Sequence, residues 1–184
     1  YVDDSKISHK DPLVVTHIIN RLEERFGEMS VIRGKKHNFL GMDIEFMTNG
    51  TIQISSKGYI TECIESFGEE LSGKVSTPAD DRLFEVDDEL PRLSVERSSI
   101  FHHIVAKLLY VSHRGRPDID PTVAFLCTRA TRSTEEDWNK LRRLLTFLQQ
   151  TIDDERIIGS NEGLVLKSYV DASYAVHPDM RGQT

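Results

Sequence analysis

Cysteine is almost missing from this 184-residue chain: Cys63 and Cys127 are the only two, and both fall in apolar-patterned stretches without metal-type spacing. That excludes a dense disulfide framework and a thiolate metal cluster. Two buried free thiols of an intracellular protein fit better than a single disulfide. Long apolar runs are missing too, and no signal peptide starts the chain, so we expect a soluble protein with no membrane partner. Positive charge is in deficit: 23 Lys and Arg against 30 Asp and Glu leave a formal net charge of -7. This excludes a generally basic surface that coats nucleic acid, while leaving room for a local cationic channel. An initiating methionine is absent as well, and the chain starts inside a motif and stops at Gly182-Gln183-Thr184, so we expect an excerpt of something longer. What is present suits a packed core: 38% hydrophobic and 29% charged residues in a length compatible with one domain or one and a fraction.

The chain opens on Tyr1-Val2-Asp3-Asp4. Adjacent carboxylates after an aromatic and a β-branched residue suit a β-hairpin tip, which exposes both acids. Hard divalent cations take oxygen ligands, usually one or two protein carboxylates plus substrate phosphates, so the pair suits metal-assisted phosphoryl or nucleotidyl transfer. The plainer reading is a solvated acidic turn, since Asp-Asp recurs at Asp80-Asp81, Asp87-Asp88 and Asp153-Asp154.

Asp11-Pro12 predicts a helix start, and Val14, Val15, Ile18, Ile19, Leu22 and Phe26 keep one apolar face as far as Gly27. We expect this helix to pack under the hairpin. Met29 to Ile32 is expected as a short strand and Asn38 to Phe46 as a second, with Asn49-Gly50 as a two-residue turn into Thr51 to Ser55. Gly41 inside a strand implies either a bulge or close approach of another backbone. Arg33-Gly34-Lys35-Lys36-His37 is the densest cationic stretch, read as a solvated turn or a phosphate contact. Ser56 is expected to cap a helix to about Phe67, followed by an acidic, turn-rich loop from Glu69 to Pro91. A third helix runs from about Val95 to Ser112 and is broken by Pro117, with Pro121 in the first turn of the next. His102 and His103 have no partner at ligand spacing, which favours surface or packing roles. Ser133-Thr134-Glu135-Glu136 reads as a capping box opening a helix with Trp138, Leu141, Leu144, Leu145 and Leu148 as its buried stripe. Arg142 and Arg143 fall on its other side. Arg114, Arg116, Arg129 and Arg132 cluster in sequence and are candidates for salt-sensitive, sequence-blind contact with a nucleic-acid backbone. Strands are expected at 156–159 and 164–170.

Several of these stretches carry a resemblance. Tyr1-Val2-Asp3-Asp4 is identical to the Tyr-Xaa-Asp-Asp signature of reverse transcriptases. After it come Phe39-Leu40-Gly41-Met42-Asp43-Ile44, then Gly58-Tyr59-Ile60 with Ser76-Thr77-Pro78, then Leu108-Leu109-Tyr110 with Arg116-Pro117-Asp118-Ile119, and last Val170-Asp171-Ala172-Ser173-Tyr174-Ala175. Together they resemble the Pol polyprotein of copia-type (Pseudoviridae) LTR retrotransposons, in that family's order.

The resemblance implies an α+β fragment. A polymerase palm with catalytic and primer-grip hairpins spans 1–55, a largely helical thumb and connection region 56–155, and the truncated start of a ribonuclease H-like domain 156–184. It implies an RNA-directed DNA polymerase that uses Mg²⁺ or Mn²⁺, with Asp3, Asp4 and Asp171 as catalytic metal ligands. Tyr1, Lys35, Lys36, Phe39, Leu40, Gly41, Arg114 and Arg116 would contact nucleic acid. The implied partners are an RNA template, a DNA primer or RNA–DNA hybrid, dNTPs and the rest of the Pol polyprotein, in cytoplasmic virus-like particles or the nucleus. A third polymerase aspartate lies outside this chain, so the fragment alone is expected to be inactive. The alternative is a degenerate or repurposed nucleic-acid-binding module without catalysis.

Overall fold

A computed structural model describes residues 5–87, 89–159 and 168–170. Helix α1 (Pro12–Phe26) is followed by strands β1 (Lys36–Phe39), β2 (Met42–Phe46) and β3 (Ile52–Ser55). Helices α2 (Lys57–Phe67), α3 (Val95–Arg114), α4 (Asp120–Arg129) and α5 (Glu135–Gln150) come next, with a 3₁₀ turn at Pro117–Ile119 before α4, and strand β4 (Arg156–Ile158) closes the order. This is mixed helix and sheet, compatible with α+β.

The core belongs to the helices. On α3, Ile104, Val105, Leu108 and Val111 fall on one helical stripe and are buried. They meet Ile60, Cys63 and Phe67 of α2, Val123 and Leu126 of α4, and Leu141, Leu144, Leu145 and Leu148 of α5 in a single cluster. Phe67 and Trp138 stack with ring centroids 4.6 Å apart. Burial pushes the Cys63 thiol up to about 12. Both cysteines are free.

The sheet runs β1-β2-β3-β4 with every neighbouring pair antiparallel. Alternation along β2 buries Met42 and Ile44 and exposes Asp43 between them, which lays one face of the strand toward α2. β4 returns after four helices to pair with β3, Gln53 facing Ile157.

Several expectations change in detail. Residues 29–32 form no strand, because a strand exists through its ladder and this stretch has no pairing partner among the described residues. The expected single strand from Asn38 to Phe46 is two strands, β1 and β2, folded back on each other at Leu40-Gly41. Asn49-Gly50 sits in a three-residue turn, 48–50, closed by Met47 N–H donating to the Thr51 carbonyl at 2.8 Å, with Gly50 at φ 85°. The capping box is Thr134 with Asp137, one residue later than expected, so that the N-cap and the third helical residue exchange their bonds. Ser56 precedes α2 but gives no side-chain cap bond. A Cβ on Gly115 would come within 1.9 Å of its hydroxyl, which shows how closely the two residues pack.

Helix α1 keeps its expected ends. Asp11 accepts from Leu13 N–H at 2.9 Å, and Gly27 N–H returns to the Glu23 carbonyl. None of its residues is buried, however. Val15, Ile19 and Leu22 line a cavity of about 580 Å³ shared with Ile7, Phe39 and Phe46, and the tip of the expected hairpin, residues 1–4, lies outside the described residues. No helix among the described residues is long and apolar enough to cross a membrane.

Candidate nucleic-acid interface

The site grows from the turn between β1 and β2. Phe39 and Met42 pair across it, so only Leu40 and Gly41 make the reversal, at φ 53° and φ 73°. Two successive left-handed residues give the twist that an antiparallel hairpin prefers. Glycine adopts this conformation freely. Leucine does not, and Leu40 is the only non-glycine residue at positive φ among the described residues.

Two other motifs close on this turn. Tyr59, from the first turns of α2, lies so near Gly41 that an added Cβ would come within 2.1 Å of its Cε2. Tyr110, near the end of α3, donates its phenolic O–H to the Leu40 carbonyl at 2.8 Å. The two tyrosine rings pack with centroids 5.2 Å apart at 38°. Arg114, one helical turn beyond Tyr110, is exposed and holds its guanidinium 4.8 Å from the Tyr110 ring centroid, a cation–π distance. Phe39-Leu40-Gly41, Tyr59, Tyr110 and Arg114 therefore form one half-buried to exposed patch carrying apolar, hydrogen-bonding and cationic groups.

The remaining basic candidates divide. Lys35 is exposed, and Lys36 is not in a loop but in β1, where it faces Glu45 across the ladder and pairs with it at 3.0 Å. Exposed pairs of this kind are weak and yield readily to a phosphate. Arg116 is buried at 3% exposure. Its guanidinium grips both Asp118 carboxylate oxygens at 2.8 and 2.9 Å and donates to the Thr151 carbonyl and hydroxyl at 2.8 Å. These bonds tie the Arg-Pro-Asp turn to the end of α5, and its donors face inward. Arg129 is buried against Asp137 at 3.1 Å rather than presented at the surface with Arg114. Arg142 is likewise engaged, bonding Glu69 and Asn139.

Glu69 is the point where three elements meet. It accepts from Arg142, from Trp138 Nε1 at 3.0 Å and from Arg97 at 3.5 Å. The hydrogen bond from Arg142 holds its carboxyl below the usual glutamate range, with Trp138 and Arg97 adding to the effect and burial opposing it.

Tyr1, Asp3, Asp4 and Asp171 lie outside the described residues. Tyr59 and Tyr110 were expected only as helix residues within their motifs, and their convergence on Leu40-Gly41 is a tertiary fact. The signal that points to them in the sequence is their place in Gly58-Tyr59-Ile60 and Leu108-Leu109-Tyr110.

The chain carrying this patch is similar to retrotransposon Pol proteins. The chain's homologues are copia-type Pol polyproteins and transposon proteins that cover the whole chain at about 25% identity. The Retrovirus-related Pol polyprotein from transposon RE2 of Arabidopsis thaliana is 25% identical over 97% of this chain. That from transposon RE1 of the same plant is 26% identical over 97% of it. An uncharacterized mitochondrial protein of Arabidopsis thaliana is 26% identical over 95% of the chain and 70% of its own length. The chain spans only 12% of the length of either Pol polyprotein. No family model matches the chain, and no solved structure matches it.

Proposed function

We propose that the chain is a piece of a retrotransposon RNA-directed DNA polymerase: the C-terminal part of the palm with its primer grip, a helical thumb and connection region, and the opening of a ribonuclease H-like domain. The observation that carries this reading is similarity to Pol polyproteins along nearly the whole chain. The meeting of three motifs at Leu40-Gly41 supports it, because it gives those stretches one common job. In this reading the Leu40-Gly41 turn presents backbone to the primer 3' end, while Arg114 and Lys35 neutralise phosphates without reading sequence.

Asp3 and Asp4 form a hard oxygen donor set that suits Mg²⁺ or Mn²⁺, and Asp171 is a further carboxylate of the same chemistry for the ribonuclease H part. Such ions, when bound, stabilise the charge developing at a transferring phosphate. The partners in this reading are an RNA template, a primer strand, dNTPs and the remainder of the Pol polyprotein.

The test is primer extension by the full-length Pol protein with Asp3→Asn or Asp4→Asn. Each variant is expected to lose metal-dependent extension while keeping hybrid binding. Extension at a near-native rate in either variant refutes the assignment. A wild-type protein that binds hybrid but never extends it fits the non-catalytic module instead.

A further inference from the structure

We infer that Tyr110 is a positioning residue for the Phe39-Leu40-Gly41 turn, its hydroxyl on the Leu40 carbonyl holding that turn in the strained backbone shape in which it meets a primer strand. The inference rests on the reading of the turn as a primer grip and names the residue that sets its geometry.

Leu40 is the anomaly that motivates it. A leucine at φ 53° is disfavoured by contact between its Cβ and the backbone, and it lacks the short polar side chain with which asparagine or aspartate eases such a position. A strained backbone of this kind persists only where its surroundings over-determine it, and such residues cluster at functional sites. Here the surroundings are two aromatic rings. Tyr59 occupies the space above Gly41 that any Cβ would need. Tyr110 packs on Tyr59 and donates to Leu40 at 2.8 Å, partly shielded from water. The Leu40 carbonyl lies within the turn, outside the β1–β2 ladder that pairs Phe39 with Met42, so the phenol supplies a donor that the hairpin does not.

Tyr110 also ties the turn to the helical body. It sits on α3, whose Leu108 and Val111 are fully buried in the helical core, and its ring lies beneath the Arg114 guanidinium. A phosphate drawn to Arg114 therefore lies over the same ring that fixes the turn. Helix and turn present their contacts to one nucleic acid as a unit.

Tyr110→Phe keeps both rings and deletes only the hydroxyl. In the full-length protein, amide hydrogen exchange across residues 39–43 is expected to speed up roughly three- to tenfold, the population change equivalent to one net hydrogen bond, while exchange in α4 and α5 stays unchanged. Binding to a fluorescent RNA–DNA hybrid with a recessed primer 3' end is expected to weaken by a similar factor, and binding to a blunt hybrid to stay as it was. Unchanged exchange in 39–43 overturns the positioning role while leaving the polymerase reading intact. Equal weakening on recessed and blunt hybrids also overturns it, because a general structural defect does not distinguish the ends. Faster exchange in a protein whose wild type binds neither hybrid overturns the primer-grip reading itself.

Discussion

Replacing Gly41 with alanine is expected to cost far more than the same change at Gly50, although both glycines sit in hairpin turns at positive φ, 73° and 85°. At Gly50 nothing lies within 4 Å of an added Cβ, so only the backbone penalty remains. That penalty is about 1 kcal/mol. At Gly41 the new Cβ would fall 2.1 Å from Tyr59 Cε2 and 2.8 Å from Cζ, so the ring must move. Moving it loosens the Tyr59–Tyr110 packing, a pair of the kind contributing about 0.5–1.5 kcal/mol, and with it the Tyr110–Leu40 hydrogen bond, about 0.5–1.5 kcal/mol net. The total for Gly41→Ala is therefore about 2–4 kcal/mol. Urea unfolding followed by circular dichroism reads the difference as a shift in midpoint at constant slope. In a Tyr59→Leu background the extra loss at Gly41 should shrink toward the Gly50 value, since the two sites share the same space. Equal destabilisation by Gly41→Ala and Gly50→Ala would refute the claim that the turn is seated on Tyr59.

Two further perturbations test the helical body. Asp137 is buried, pairs with Arg129 at 3.1 Å and accepts from Thr134 N–H at 2.9 Å, so Asp137→Ala removes this buried pairing and opens the α5 cap. We expect a loss of about 2–4 kcal/mol in chemical denaturation, the sum of a charged hydrogen-bonded pair and an N-cap, and a loss under about 1 kcal/mol contradicts the buried pair. Glu69 is held below its ordinary value of 4.5, first by the Arg142 hydrogen bond, so its contribution to stability is complete above that value and is lost as pH falls through its lower folded value. Urea midpoints followed from about pH 6 to pH 3 should fall less steeply in Glu69→Gln than in wild type, and identical slopes rule out the linkage.

Much of the secondary structure could be read from local pattern. Asp11-Pro12 and Gly27 bound α1, the stripe Trp138, Leu141, Leu144, Leu145 and Leu148 forms the buried face of α5, and Pro117 ends α3 as expected. The misreadings occur where local signals compete. Alternating residues from Asn38 to Phe46 read as one strand, because period-two patterning continues through Leu40-Gly41 and carries no sign that both adopt positive φ. Arg116 reads as a surface cation because it clusters in sequence with Arg114, Arg129 and Arg132; its burial depends on Asp118 and on Thr151 at the far end of α5. The apolar face of α1 predicted a packed helix, but amphipathicity records only that a face wants covering.

The sequence by itself determined helix ends, the stripes that build the four-helix core, and a similarity to retrotransposon Pol proteins along nearly its whole length. These depend on residue types at fixed short spacings, which a chain displays whether or not it is folded. Only the tertiary structure decided that Leu40-Gly41, Tyr59 and Tyr110 form one site, that β4 returns to β3, and that Arg114 faces outward while Arg116 faces inward. Those outcomes join residues tens of positions apart, and they are set by which surfaces the helices and sheet bury against each other. No local spacing encodes that choice.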